Sequence, residues 1–402
     1  MKIKFITILF LIFFCAENSL HSQNGFTDKS EAKNEFKNGL KEGKWVEFVS
    51  IESDEVVYLK DTAKKNTADY ILLFYVNGEA QGIMRTFFGN GDLFTEAQLV
   101  NNKKNGTVKE FFRNGKIKRE TSYTDNVVNG PEKYFYESGN LETETPYTFN
   151  KKNGVMTFYS ENGTILLKVP YLNDSVNGTV TGYYGSGKME YETKTVNGKK
   201  QGLYKNYFES GKLRQEATYA EDKKTGTEKT YFENGKLQAE VQYSENKKNG
   251  SSKEYFENGK LYISTNHVDG KQNGLTKEYY ESGKLFVETI YLNDMPEGIL
   301  KIYFKNGKVQ QETSFANGQK NGSEKHYYET GKLKQEDPYV NGIANGVSKM
   351  YYENGKLKAE FPVIKNLWYG IAKEYYESGK LKSETEYFDG EIIGKVKQYP
   401  DK

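Results

Sequence analysis

Short runs of aromatic and aliphatic residues, broken by charged ones, return along this chain every 24 residues. Numbered from a recurring glycine, the unit places aromatics at positions 6 and 7, an aliphatic at 12 and an aromatic at 18. Residues 274–297, GLTKEYYESGKLFVETIYLNDMPE, show the pattern well. Position 6 is aromatic in all thirteen copies, from Phe87 to Tyr375, and position 7 in twelve, Ser160 being the exception. Position 12 is aliphatic throughout, from Leu93 to Leu381. Alternation over such short runs marks β-strands. Two glycines in every unit leave no window in which helical turns would hold. The pattern predicts one strand over positions 2–8, a second over 11–18 and a polar connection over 19–24.

The turn between the strands is placed by position 10, which is glycine in every copy: Gly91, Gly115, Gly139, Gly163, Gly187, Gly211, Gly235, Gly259, Gly283, Gly307, Gly331, Gly355 and Gly379. Most follow Asn or Ser. Asn-Gly between two apolar runs is the strongest local hairpin signal, because both residues tolerate the positive φ of a two-residue turn. Position 1 is a second glycine column, from Gly82 to Gly370 with a further copy at Gly394; the two columns hold 27 of the 39 glycines. With 9 and 10 as the loop, position 8 faces 11, 7 faces 12, 4 faces 15 and 1 faces 18.

Charge supports that register. Lys or Arg at position 4 in eleven copies stands opposite Glu at 15 in eleven, and Glu at 8 in nine stands opposite Lys at 11 in ten. Such cross-strand pairs contribute about 0.2–1 kcal/mol each. Where Thr157 replaces the basic residue at 4, Lys168 replaces the glutamate at 15. Alternation then puts 7, 12, 16 and 18 on a buried face and 4, 6, 8, 11 and 15 on a solvated one.

Thirteen units (82–393) and a C-terminal half-repeat cap (394–402) give roughly 27 strands, expected as an elongated, twisted, single-layer antiparallel sheet. Residues 23–81 read as a divergent N-terminal cap with a partial repeat, Trp45 anchoring its first strand and YVNGEAQG (75–82) closing it. Residues 1–22 read as a signal peptide, with Lys2 and Lys4 before an apolar run from Phe5 to Phe14 that is short for a membrane span. The expected location is therefore outside the cytoplasm: periplasmic, outer-membrane-associated or secreted. Cys15, the only cysteine, closes the apolar run, although Phe14 stands where a lipid-attachment motif wants a small residue. Membrane association is expected only through the leader or through acylation of Cys15. A formal net charge of +2 gives no support for a nucleic-acid partner.

Chemistry is sparse. His21 falls in the leader, His267 takes the place of Tyr at position 18, and His326 sits at position 5, too far apart in the array to share a metal or a triad. The glutamates of the position-15 column have basic partners at position 4 in all but one unit, which makes the column sheet decoration before acid–base machinery. The connectors LNDS (172–175) and LNDM (292–295) lack the dense carboxylate pattern of a calcium loop. Neither cofactor nor metal is expected, and no enzyme. The candidate binding face is the position-6 column Tyr207, Tyr231, Tyr255, Tyr279, Tyr303, Tyr327, Tyr351 and Tyr375, flanked by lysines at 4 and 11. It suits stacking on sugars or docking on an acidic protein surface.

The string G-x-x-K-x-Y-Y-E-x-G-K-L-x-x-E, as in residues 370–384, resembles the MORN repeat variant (YwqK-like) family, whose members often carry the label of a toxin–antitoxin antitoxin. The resemblance covers about 82–399 and implies β-hairpin arrays used as scaffolds, with no catalytic residue attached to the motif. The leading expectation is an exported, non-enzymatic scaffold that binds a protein or cell-envelope component. The rival is an antitoxin or immunity protein acting on a cognate toxin, which the leader disfavours. A glycan-processing enzyme would need an insertion that breaks the repeat, and the thirteen units have none.

Overall fold

The computed structural model describes residues 26–52, 55–59 and 68–402. The leader, with Cys15 and His21, lies outside them. The described chain is all-β apart from one 3-10 turn, Lys29–Glu31, and its strands run antiparallel through tandem hairpins. Two compact units divide it: Met1–Met189 with Thr195–Gly198, and Glu190–Lys194 with Lys199–Lys402.

The first unit opens with β1 (Glu35–Lys37), β2 (Leu40–Glu52), β3 (Glu55–Tyr58), β4 (Asp69–Val76) and β5 (Glu79–Phe87). β2 pairs with β1, β3 and β4, and β4 pairs with β5. The sequence of β4, DYILLFYV, carries large side chains on both faces, and both faces are covered. Ile71, Leu73 and Tyr75 pack with Trp45, Val49, Ala80 and Leu99, while Tyr70 and Leu72 pack with Phe26 and Phe87. Trp45 is anchored as expected, its indole donating to the Glu42 carbonyl at 3.0 Å. β2 and β3 form an antiparallel hairpin, pairing from Val49 and Tyr58 to Glu52 and Glu55.

In the second unit the hairpin repeats with little change, and the strands Lys223–Tyr231 and Leu237–Ser244 stand for the others. Gly226 faces Tyr243 and Lys229 faces Glu240, the expected 1–18 and 4–15 pairs. Toward the turn the register differs from expectation: Tyr231 at position 6 faces Leu237 at 12, across a bulge. Gly235 donates its amide to Phe232 (2.8 Å) and Phe232 donates to Lys236 (2.9 Å), so the loop has three residues, not two. Only the glycine has positive φ, +86°. Asn234 serves through its side chain, accepting from the Lys236 amide at 2.9 Å. A turn followed by one left-handed residue matches strand twist and spares the asparagine a strained backbone.

The two-residue turn with positive φ lies elsewhere, at positions 20 and 21, where Glu245 and Asn246 have φ of 51° and 68°. Ser244 pairs with Lys247 across it, so the supposed polar connection is mostly strand. The bulge also changes the faces. The ring at position 7 packs on position 13, as in Phe256–Tyr262 (5.0 Å) and Tyr280–Phe286 (4.8 Å), and not on position 12.

Successive turns are clamped to one another. The Asn246 side chain accepts from the Lys224 amide of the preceding unit at 2.6 Å, and Asp222 and Asp294 do the same for Lys200 and Gln272. At the other end, lysines at position 11 reach forward to a main-chain carbonyl of the next turn: Lys260 to Ser282 and Lys308 to Thr330, both 2.7 Å. That contact takes the place of the expected pairing of Glu at 8 with Lys at 11, because the wider loop carries the two side chains apart. The most deeply buried column is position 16, made of small side chains: Ala217, Thr265, Thr289 and Thr313. Small residues pack there because the neighbouring strands bring Ser252 and Thr276 at position 3 onto the same face.

Candidate binding face

The solvated face is organised in rows. Lysine at position 4 faces glutamate at 15 of its own unit and of the unit before, as Lys229 does with Glu240 and Glu216. Ion pairs of both kinds form: Lys301–Glu312 (3.5 Å) and Lys325–Glu336 (3.6 Å) within a unit, Lys253–Glu240 (3.4 Å) and Lys373–Glu360 (3.7 Å) between units. Partly exposed pairs of this kind are individually weak, and their regularity sets register more than strength.

The tyrosines of position 6 stand beside this ladder and are half-buried. Tyr207, Tyr231, Tyr303, Tyr327 and Tyr375 donate their hydroxyls to the position-15 glutamate of the preceding unit at 2.5–3.0 Å. Burial first, and then those carboxylates, push Tyr207, Tyr231, Tyr303 and Tyr327 up to about 12. Tyr255 and Tyr375 are raised for the same reasons. In the unit before Tyr279 the position-15 residue is Ser264 in place of a glutamate, and the carbonyl of Tyr351 accepts from Tyr328 at 2.8 Å. All eight candidate tyrosines thus lie on one face of the second unit, with their rings in a row and most hydroxyls engaged within the sheet.

Position 2 shares that face and was not singled out from the sequence. Leu203, Leu275, Ile299, Val347 and Ile371 are exposed there at 42–52%, joined by Ile290, which pairs with Leu275. Its signal was available, since position 2 is two residues from position 4 and must share its side of the sheet.

The opposite face carries residues that change from unit to unit. Glu324 accepts from Gln311 (2.8 Å), Thr313 (3.1 Å) and Lys320 (2.7 Å). Burial would raise its pKa, but Lys320 above all, with Thr313 and the nearby His326, holds it below the usual carboxylate value. Glu228 repeats the arrangement with Gln215 and Lys224. Together with Glu132 these residues stand four units apart at position 3, a recurrence readable in the sequence. His326 lies 4.0 Å from Glu324 and near Asp337, while His267 keeps to its own strand pair with Gly250 and Gln272. In LNDS and LNDM the Asp174 and Asp294 carboxylates accept main-chain amides, from Lys152 at 2.8 Å and Gln272 at 2.6 Å, so they are occupied as turn clamps.

A model of the MORN repeat variant matches eleven segments: 104–125, 128–148, 152–173, 200–221, 224–245, 248–269, 272–293, 296–317, 320–341, 344–365 and 368–389. No curated protein matches the chain. Similar solved structures include a crystal structure of TcdB2-TccC3-Cdc42, at 11% identity over 80% of this chain and 20% of that one, TM-score 0.15. Another is a Photorhabdus luminescens Tc holotoxin pore, at 12% identity over 86% of this chain and 22% of that one, TM-score 0.15. The chain spans about a fifth of the length of these structures.

Proposed function

The chain belongs to the MORN repeat variant family, and from that premise we propose that it is an exported, non-enzymatic scaffold. It binds a protein or cell-envelope component along the face that carries the tyrosine row. The observation that carries this reading is the set of exposed aliphatic residues at position 2, Leu275 with Ile299 and Val347 with Ile371 in neighbouring units, beside the Lys–Glu ladder. An exposed apolar strip edged by fixed charges is the composition of a protein-docking surface. The repeated carboxylates already have donors, which supports binding over catalysis. The basic start before the apolar run from Phe5 supports export.

The test is cross-linking on intact host cells with the full chain and with Leu275→Asp/Ile299→Asp. Both residues are exposed, so the variant is expected to fold. Wild type should retain one partner species and the variant should lose it at least tenfold. Equal retention would overturn the docking face. A full-length cytoplasmic protein that rescues growth from a neighbouring toxin would replace the whole reading with the antitoxin one.

A further inference from the structure

In the first unit, where the cap meets the first two repeats, a cavity of about 260 Å³ opens on the face away from the Lys–Glu ladder. Its floor is buried and mostly apolar, with Ile71 at 3% and Phe94 at 3% exposure beside Met84 and Val108. Polar groups line the rest: Thr86, Thr95 and Thr121 beside the apolar residues, with Tyr58 and Tyr123 in the wall. Two cations, Lys104 and Arg119, share the cavity with one carboxylate, Glu110.

Those charges do not balance. Glu110 is itself held by two cations, Arg119 at 2.6 Å and Lys118 at 3.2 Å, and Arg119 also donates to Tyr134 at 3.3 Å. Lys104 is left over. Its ammonium lies 5.2 Å from the Tyr123 ring centroid, and among the described residues no carboxylate pairs with it. The repeat shows what is missing. Lys224 and Lys320 occupy the same position 23, and each bonds a glutamate at position 3 of the next unit at 2.7 Å. After Lys104 that position is Val108. Burial and the nearby Arg119 charge lower the Lys104 pKa, the direction expected of a half-buried cation lacking its counter-ion.

We propose that this cavity binds a carboxylate carried on a small aromatic or aliphatic body, with Lys104 pairing the carboxylate and the floor of Ile71, Met84, Phe94 and Val108 taking the apolar part. One unpaired lysine beside an apolar floor favours a monocarboxylate over a polyanion, and the volume limits the body to about one ring. The carboxylate can belong to a free small acid or to the C-terminus of a partner peptide.

Calorimetric titration of the full chain with benzoate tests the site. Saturable binding is expected, weakened at least tenfold by Lys104→Met. Lys152→Met should change it less than twofold, since Lys152 has the same repeat position and the same 5.2 Å contact with a tyrosine ring, that of Tyr171. Benzamide, equal in shape and neutral, should bind the wild type at least tenfold more weakly than benzoate, a comparison that needs no variant. A peptide ending in a free phenylalanine carboxylate that binds more tightly than benzoate assigns the site to a chain terminus; the reverse order assigns it to a small acid. No saturable binding of either, equal binding of benzamide, or indifference to Lys104→Met overturns the proposal.

Discussion

The cap and the regular repeats are both antiparallel sheet, yet they are held by different means. β4 buries large side chains on both faces, with Leu72 and Val49 fully covered. In the second unit the buried column is threonine and alanine, and order comes from turns hydrogen-bonded to the turns beside them. The first arrangement concentrates apolar burial at one place; the second distributes small contributions that each unit repeats. A sheet of the second kind can grow by whole units while its rows of side chains stay in register, which suits a scaffold.

The largest expected effect breaks this contrast directly. Leu72→Ala should lower the stability of the cap by about 3 kcal/mol or more, against about 1 kcal/mol for Thr289→Ala. Segment-resolved hydrogen exchange is the appropriate readout, since arrays need not unfold in one step. Equal costs would mean that the repeats have an apolar core after all.

The two glycine columns sharpen the comparison within one repeat. At Gly154, φ is +125° and an added Cβ would lie 2.6 Å from Pro146 Cγ; at Gly163, φ is +85° and the space is open. Gly154→Ala should cost about 3 kcal/mol, from strain and overlap together, and Gly163→Ala about 1–2 kcal/mol, from strain alone. Thermal shifts in the reverse order would contradict the placement of position 1 against position 17.

Turn clamps come next. Asn246→Gly keeps the positive φ and removes only the bond to the Lys224 amide, so about 1 kcal/mol of local protection should be lost at that amide. Unchanged exchange there would show that the clamp is ornamental.

The smallest effect is one of pH. Tyr207, Tyr231, Tyr303 and Tyr327, near 12 in the folded chain, titrate near 10 when unfolded. The unfolded chain therefore loses these protons first. Their stabilising contribution is whole below pH 10 and falls away between pH 10 and 12. Absorbance titration should show this late group, with Glu216→Gln moving Tyr231 downward. A single transition near 10 for every tyrosine would contradict the hydroxyl–glutamate bonds.

Much of this was legible because the repeat amplifies weak signals. Eleven copies of Lys or Arg at 4 and eleven of Glu at 15 fixed that pair, and Tyr at 18 over Gly at 1 followed. The turns were harder to read. Asn at position 9 looks like a left-handed residue but acts through its side chain. The true left-handed pairs at 20 and 21 include Phe149, Glu221 and Lys365, which no composition rule points to. Pairs such as Asn197-Gly198, Asp269-Gly270 and Asn341-Gly342 carried the hint. One displaced turn then shifted position 7 from 12 to 13, as a bulge must. The candidate tyrosines were found as a row, whereas the aliphatic row at position 2 was hidden by its variety across the copies.

The most direct test of the scaffold account is a photo-cross-linking residue placed on each side of the second unit, at Leu275 in the apolar row and at Glu254, exposed on the opposite face. In host cells the account predicts one discrete adduct from position 275 and none from 254. A discrete adduct from 254 alone, or none from either, would contradict it.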